Sequence, residues 1–206
     1  MIGIIDYGAG NLKSVQNALT HLGIDWNMAE TPADFQRADG LILPGVGSFG
    51  AAMGQLDKAG LSDPIRAWAA EDRPLLGICL GLQLLFEESE ESPGVKGLGA
   101  FTGRLRRFPG DMGLKIPHIG WNNLLIQKSD GIFRHVKPGA CCYFVHSYYL
   151  GPDADHAAAL CEYGVPFGAA VERGRVAACQ FHPEKSGETG LAILRRFAEI
   201  CAEGSC

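Results

Sequence analysis

Short, continuous apolar runs alternate with segments of helical spacing along the first half of the chain. The run Ile2-Gly3-Ile4-Ile5-Asp6 ends at Tyr7-Gly8-Ala9-Gly10-Asn11, and Leu12, Val15, Leu19 and Leu22 then recur at helical spacing until Gly23. This predicts a strand, a glycine turn and a helix. Residues 24–28 predict a second strand, and Gly40-Leu41-Ile42-Leu43 a third that runs into Pro44-Gly45-Val46-Gly47-Ser48. Helical spacing extends from about Phe49 to Ala70, with breaks near Gly60 and Pro64. Leu75-Leu76-Gly77-Ile78 predicts a fourth strand, and residues 80–88 a helix. Apolar strands without polar alternation, separated by amphipathic helices, imply a parallel sheet covered on both faces.

The second half has a different rhythm. Residues 101–108, 143–150, 157–163 and 168–181 predict strands joined by tight turns, and Arg173-Gly174 inside the last predicts a hairpin. Residues 188–202 predict a closing helix with Leu191, Leu194, Phe197, Ala198 and Cys201 on one face. The expected fold is α/β: an open, mostly parallel central sheet with helices on both faces and an antiparallel portion in the second half. Neither a repeat nor a linker interrupts the pattern, so residues 1–206 are expected to form one domain. The acidic cluster from Glu87 to Glu91 reads as a solvated helix end.

Composition narrows the function. The chain is 47% hydrophobic and 20% charged over 206 residues, with a net charge of −5. That acidic balance does not suit a nucleic-acid surface. Apolar stretches fall short of the roughly 18 residues of a membrane span. The opening MIGIIDYGAGN lacks a charged leader, so a cytoplasmic protein is expected. The seven cysteines, at 79, 141, 142, 161, 179, 201 and 206, form no Cys-x-x-Cys pair. Most are therefore expected to be small buried hydrophobes, without metal or disulfide.

Three motifs carry candidate chemistry. Gly8-Ala9-Gly10 follows a strand, but a dinucleotide site needs a third glycine where Lys13 stands, so a structural turn is expected. Pro44-Gly45-Val46-Gly47-Ser48 is at the carboxyl end of a strand, where open sheets place ligands; it reads first as a turn that needs glycine dihedrals, and second as backbone N–H groups facing an anion. Gly77-Ile78-Cys79-Leu80-Gly81 has the form of a nucleophile elbow. A cysteine on such a strand-to-helix turn is held over the sheet end, the helix start favours its thiolate, and the N–H of Leu80 can stabilise an oxyanion. A buried core cysteine is the ordinary alternative.

A thiolate hydrolase needs a base. Among six histidines, His182 in Gln180-Phe181-His182-Pro183-Glu184-Lys185 is the best candidate. In extended chain, residues two apart face the same side, so Glu184 could orient one ring nitrogen while the other faces the thiol. His118 falls in what reads as a loop, Pro117-His118-Ile119-Gly120-Trp121-Asn122. His146 lies on a buried-looking strand and could be a satisfied core histidine. His21 reads as a capping or surface residue, and His135 and His156 sit in turn-rich sequence.

Together, GICLGLQ and QFHPE resemble class I glutamine amidotransferases. DYGAGNL, LPGVGSFGAAM, GICLGLQLLFEESEE, IPHIGWNNL, YFVHSYY and QFHPEKSGETG occur in order and span nearly the whole chain. The series is similar to one branch of that family, the glutaminase subunits of imidazole glycerol phosphate synthases in histidine biosynthesis. The resemblance implies Cys79 as nucleophile, His182 as base and Glu184 as its orienter. It implies an oxyanion hole from the Leu80 N–H and a peptide within Gly45-Val46-Gly47 that must reorient to complete it. Gln83, His146, Ser147 and Tyr148 match positions that hold substrate glutamine, and Asn11, Trp121 and Lys185 match positions facing a partner. That partner would be a cyclase of (β/α)₈-barrel fold receiving the ammonia; no metal or organic cofactor is implied. Alternatives are the same chemistry with another acceptor, a stand-alone γ-glutamyl hydrolase, and a non-catalytic binding subunit. Residues 104–115 are the part least constrained by the resemblance.

Overall fold

A computed structural model describes residues 1–8 and 10–203; Ala9 of the predicted glycine turn and Cys206 lie outside the described residues. In chain order the elements are β1 (Ile2–Ile5), α1 (Leu12–His21), β2 (Trp26–Ala29), α2 (Pro32–Phe35), β3 (Gly40–Leu43), α3 (Phe49–Lys58), α4 (Ser62–Ala70), β4 (Leu75–Ile78) and α5 (Leu80–Leu84). The second half contains β5 (Glu88–Ser89), β6 (Arg104–Arg107), β7 (His118–Asn123), β8 (Leu125–Ile126), β9 (Cys141–His146) and β10 (Tyr148–Tyr149). It continues through β11 (Ala157–Tyr163), β12 (Val165–Arg173) and β13 (Val176–Cys179) to a 3₁₀ turn at Pro183–Lys185 and α6 (Gly187–Glu203).

The main sheet has eight strands in the order β2-β1-β3-β4-β13-β12-β11-β8. Pairings from β2 to β13 are parallel, and those among β13, β12, β11 and β8 are antiparallel. Buried strands alternate sides with period 2. Ile2, Ile4, Ile42, Leu76 and Ile78 therefore join one core with Leu19, Leu194 and Phe197, while Ile5, Leu41, Leu43 and Leu75 join another with Phe49, Leu56 and Trp68. Helices α1 and α6 cover the first face, α3 and α4 the second. The mostly parallel α/β sheet with an antiparallel second half agrees with the expected fold class.

Several local expectations change. The break in the helical stretch falls at residues 59–61; Pro64 is tolerated in the first turn of α4, where a missing N–H has no intrahelical partner to lose. The expected helix over 80–88 stops at Leu84. The carbonyls of Leu84, Leu85, Phe86 and Glu87 instead accept from the N–H groups of Leu98, Phe101, Gly99 and Gly97, so the helix cannot continue. The acidic cluster is consequently not a helix end. Glu88 is in β5 and pairs with Lys96, and the carboxylates of Glu87 and Glu90 accept from the N–H groups of Gly103 and Arg107. Residues 118–122 of the expected loop at 117–122 instead lie in β7, which pairs with β9 in a two-stranded sheet beside the main one. The segment 101–108 contributes only β6, in a third sheet with β5 and β10. Helix α2 and strand β8 carried no sequence signal long enough to predict them.

Candidate active site

Strands β3, β4 and β13 are neighbours and parallel, so their carboxyl ends lie side by side. Past those ends come Pro44-Gly45-Val46-Gly47 after β3, Cys79 after β4, and Gln180-Phe181-His182 after β13. The sheet thereby assembles three segments separated by more than 130 residues from first to last. This is the edge at which open α/β sheets bind ligands.

Cys79 sits at φ +55°, ψ −107°, an uncommon backbone conformation for a side-chain-bearing residue. Its N–H still bonds the Cys179 carbonyl at 2.8 Å, while its own carbonyl accepts from Leu82 at 3.1 Å. One residue thus ends the ladder and starts the helix. The flanking glycines let the elbow close. A Cβ on Gly77 would stand 2.9 Å from the Gly81 carbonyl oxygen and 2.9 Å from a Leu85 methyl. A Cβ on Gly81 would overlap the Leu43 carbonyl oxygen. The turn raises the Cys79 thiol toward a cavity of about 310 Å³, at the small end of ligand clefts.

His182 is buried in the wall of that cavity. Its Nδ1 lies 2.8 Å from Glu184 Oε1, and its buried Nε2 has no hydrogen-bond partner within normal distance among the described residues. Burial alone would lower its pKa, but Cys79 and Glu184 favour the imidazolium and raise it to about 9. Here the extended-chain expectation needs correction. His182 precedes a 3₁₀ turn, Pro183–Lys185, and this turn brings Glu184 back to the ring. The His182 N–H donates to the Tyr143 carbonyl at 2.9 Å, and Ser186 Oγ caps the His182 carbonyl at 2.6 Å. Both bonds hold the ring's backbone still.

The cavity brings together Cys79, Leu80, His182, Val46, Gly47, Gln83, His146, Ser147 and Tyr148. Gly45 does not line it. It is buried below, where a Cβ would stand 2.8 Å from Tyr7 Oη and 2.9 Å from Leu80 Cβ. Trp121 and Lys185 are exposed and Asn11 is half-buried; none of the three reaches the cavity. His146 is both a bonded core histidine and a cavity residue: it packs on Phe108 and Phe167 and contacts the Tyr148 carbonyl at 2.9 Å. His135 pairs with Glu199 at 3.0 Å, outside the site.

Sequence reasoning missed three neighbours. Glu91 lines the cavity, with one carboxylate oxygen held 2.7 Å from the Phe49 N–H. Gln180, fully buried, lies between Gln83 and Cys79. Tyr7, also buried, donates to the Pro44 carbonyl at 3.1 Å and so tethers the glycine turn. Gln180 was visible only as the residue preceding Phe-His-Pro-Glu, Glu91 only as the end of an acidic cluster read as solvated, and Tyr7 only as part of the glycine turn's motif. Among the described residues no cluster of three or more His, Cys, Asp or Glu side chains could hold a metal ion.

The Tyr7 tether has a measurable consequence. Tyr7→Phe should cost about 1 kcal/mol in urea unfolding, the usual worth of one hydrogen bond. If Cys79 and the turn act as the resemblance implies, it should also lower kcat more than it changes KM, because it frees the turn at the cavity wall. Unchanged kcat would remove Tyr7 from any role in the turn.

The comparisons with known proteins fit this geometry. The Glutamine amidotransferase class-I family model matches residues 3–201. Imidazole glycerol phosphate synthase subunit HisH of Syntrophotalea carbinolica is 50% identical over 206 residues, covering 97% of this chain and 100% of that protein. The chloroplastic imidazole glycerol phosphate synthase hisHF of Arabidopsis thaliana is 48% identical over 205 residues, covering 96% of this chain but only 34% of that longer protein. A crystal structure of a glutamine amidotransferase superposes with a TM-score of 0.76, covering 98% of each chain at 20% identity. That last likeness concerns the fold alone.

Proposed function

This chain belongs to the class I glutamine amidotransferase family, on its HisH branch, and we propose that Cys79, His182 and Glu184 perform its glutamine hydrolysis. As the glutaminase subunit of imidazole glycerol phosphate synthase, it releases ammonia from L-glutamine for a partner subunit in histidine biosynthesis. The observation that carries the residue assignment is the His182 ring: one nitrogen is held by Glu184, and the other is unpartnered on the cavity wall shared with Cys79.

The Cys79 thiolate attacks the carboxamide carbon of glutamine, and the carbonyl π electrons move to oxygen. The Leu80 N–H and a donor of the Val46-Gly47 turn stabilise that oxyanion. His182 as imidazolium gives its Nε2 proton to the departing nitrogen, and ammonia leaves as the C–N bond breaks. Neutral His182 then takes a proton from water, whose oxygen attacks the thioester; the C–S bond breaks, glutamate leaves, and the Cys79 thiolate and His182 imidazolium are restored. Glu184 fixes the ring's orientation throughout. The Glu91 carboxylate suits the α-ammonium of glutamine, and Gln83, Ser147 and Tyr148 supply polar groups along the cavity. Nothing in these steps draws on a metal or cofactor.

The partner is proposed to be a (β/α)₈-barrel cyclase that passes the ammonia to a nucleotide substrate and forms imidazole glycerol phosphate with an aminoimidazole carboxamide ribonucleotide. The Arabidopsis relative extends well beyond this chain's match, room for a second subunit in one polypeptide. Ile119 and Trp121 of β7 are 59% and 58% exposed, an unusual pair of bare apolar side chains. With Lys185 and Asn11, they are the proposed docking residues. No described helix is long and apolar enough to cross a membrane, and a cytoplasmic location is proposed with the pathway.

Glutamate release from L-glutamine by the purified chain, alone and then with the cyclase and its nucleotide ligand, tests this reading. Weak release that rises strongly with both additions is expected. Rapid release indifferent to the partner would instead indicate a free-standing hydrolase.

A further inference from the structure

Seven buried or half-buried polar groups form a continuous chain from the exposed β7 edge to the nucleophile. Asn122 Nδ2 contacts the Glu162 carbonyl at 2.8 Å and His118 Nε2 at 3.4 Å. His118 Nδ1 lies 3.1 Å from His146 Nε2, and His146 Nδ1 lies 2.9 Å from the Tyr148 carbonyl. Gln83 Nε2 donates to that carbonyl at 3.2 Å and to Gln180 Oε1 at 3.1 Å. Gln180 Nε2 lies 3.9 Å from Cys79 Sγ.

The direction of every proton in this chain is determined by chemistry. A backbone carbonyl only accepts. The Glu162 carbonyl therefore requires the Asn122 nitrogen, and the Asn123 N–H, 2.8 Å from Asn122 Oδ1, agrees. The Tyr148 carbonyl requires N–H on His146 Nδ1. Burial holds His118 and His146 neutral, with pKa values lowered to about 4 and about 3. His146 Nε2 is then an acceptor, His118 Nδ1 a donor, and His118 Nε2 an acceptor for Asn122. The two ends, read independently, give the same tautomers. At the inner end the Tyr148 carbonyl also requires the Gln83 nitrogen, so Gln180 must present oxygen to Gln83. Its N–H₂ group can then only point at the sulfur.

We propose that Gln180 is a catalytic residue that stabilises the Cys79 thiolate through its side-chain N–H, and that the chain Asn122–His118–His146–Tyr148 carbonyl–Gln83 positions its amide for this task. The inference rests on the glutaminase reading and adds a residue to it. An N–H donor stabilises an anion far more than a neutral thiol. The other titratable groups near Cys79 are His182 from the turn after β13, His146 from β9, Tyr7 after β1, Cys179 of β13 and Glu91 across the cavity. Gln180→Met leaves each of these side chains in place and adds no charge beside them.

The test is the pH dependence of Cys79 alkylation by iodoacetamide, followed by peptide mass spectrometry on the full chain. Gln180→Glu replaces the donor with an acceptor of the same shape and should move the alkylation midpoint upward by about 1 pH unit or more. Gln180→Met removes the donor without adding charge and should move it upward by less. Thermal unfolding of both variants checks that they fold. A wild-type midpoint in Gln180→Met, the variant that buries no charge, would overturn the proposal. Alkylation needs no turnover, so this result is separate from the glutaminase reading, which is tested by glutamate release with and without the partner and by its loss in Cys79→Ala.

Discussion

Cys79→Ala should abolish glutamine hydrolysis, lowering kcat/KM by on the order of 10⁴-fold or more, since nucleophile and base act as one unit. Glutamate release in the presence of the partner is the measurement, and retained release would assign the chemistry elsewhere. The same position makes a prediction about stability. Cys79 is held at φ +55°, ψ −107° by the ladder bond on one side and the helix on the other. Such a conformation costs about 1–3 kcal/mol for a residue with a Cβ. Glycine relieves that strain while losing about 0.5–1 kcal/mol through its freer unfolded chain. Cys79→Gly should therefore be as inactive as Cys79→Ala yet more stable than it by about 1 kcal/mol, the net of those two effects. A less stable glycine variant would show that the elbow stores no strain.

The Cys79 substitutions should also change the response to pH. The His182 pKa is raised in the folded chain to about 9, against an unfolded value of about 6.5. A group raised in this way contributes stability that is complete below about pH 6.5 and lost as pH rises through about 9. Removing Cys79 takes away one of the groups that raises it, so in Cys79→Ala the loss should finish at lower pH. Urea unfolding as a function of pH would show the narrower window.

Gly81→Ala should be strongly damaging for a change of one methyl group. The added Cβ would overlap the Leu43 carbonyl oxygen, a backbone atom of β3 that cannot turn aside. Helix α5 must then move off the sheet, at about 3 kcal/mol, the upper part of the usual range for overpacking. Activity should fall with stability, because the same shift displaces Cys79 and the Leu80 N–H. Gly54→Ala is the control. Gly54 is exposed on α3 with nothing within 4 Å of its added Cβ, so that change should stabilise the fold by about 0.8–1 kcal/mol. Equal denaturation midpoints for Gly81→Ala and the wild type would mean that the elbow does not need this contact.

What the sequence alone determined is local and periodic. The strands β1, β3, β4 and β13 are buried on both faces, so their continuous apolar runs announce them, and the helix spacing of α1 and α6 follows from one apolar side. The elbow was legible because its two glycines are demanded within five residues by contacts that any strand-to-helix turn must make. His182 and Glu184 were legible as a pair, although a 3₁₀ turn rather than an extended strand joins them. Only the tertiary structure decided the rest. Helix α5 ends early because carbonyls of residues 84–87 find donors on residues 97–101, a long-range competition that no local pattern encodes. β7 exists because His118 pairs with His146 in register, and its exposed Ile119 and Trp121 break the alternation expected of a buried strand. Parallel strand order places Tyr7 beside Pro44 and Gln180 beside Cys79, whereas Glu91, beyond the short β5, is brought to the cavity by its bond to the Phe49 N–H. Sequence spacing reports which residues share a face of one element, whereas a site built between elements depends on which of them become neighbours.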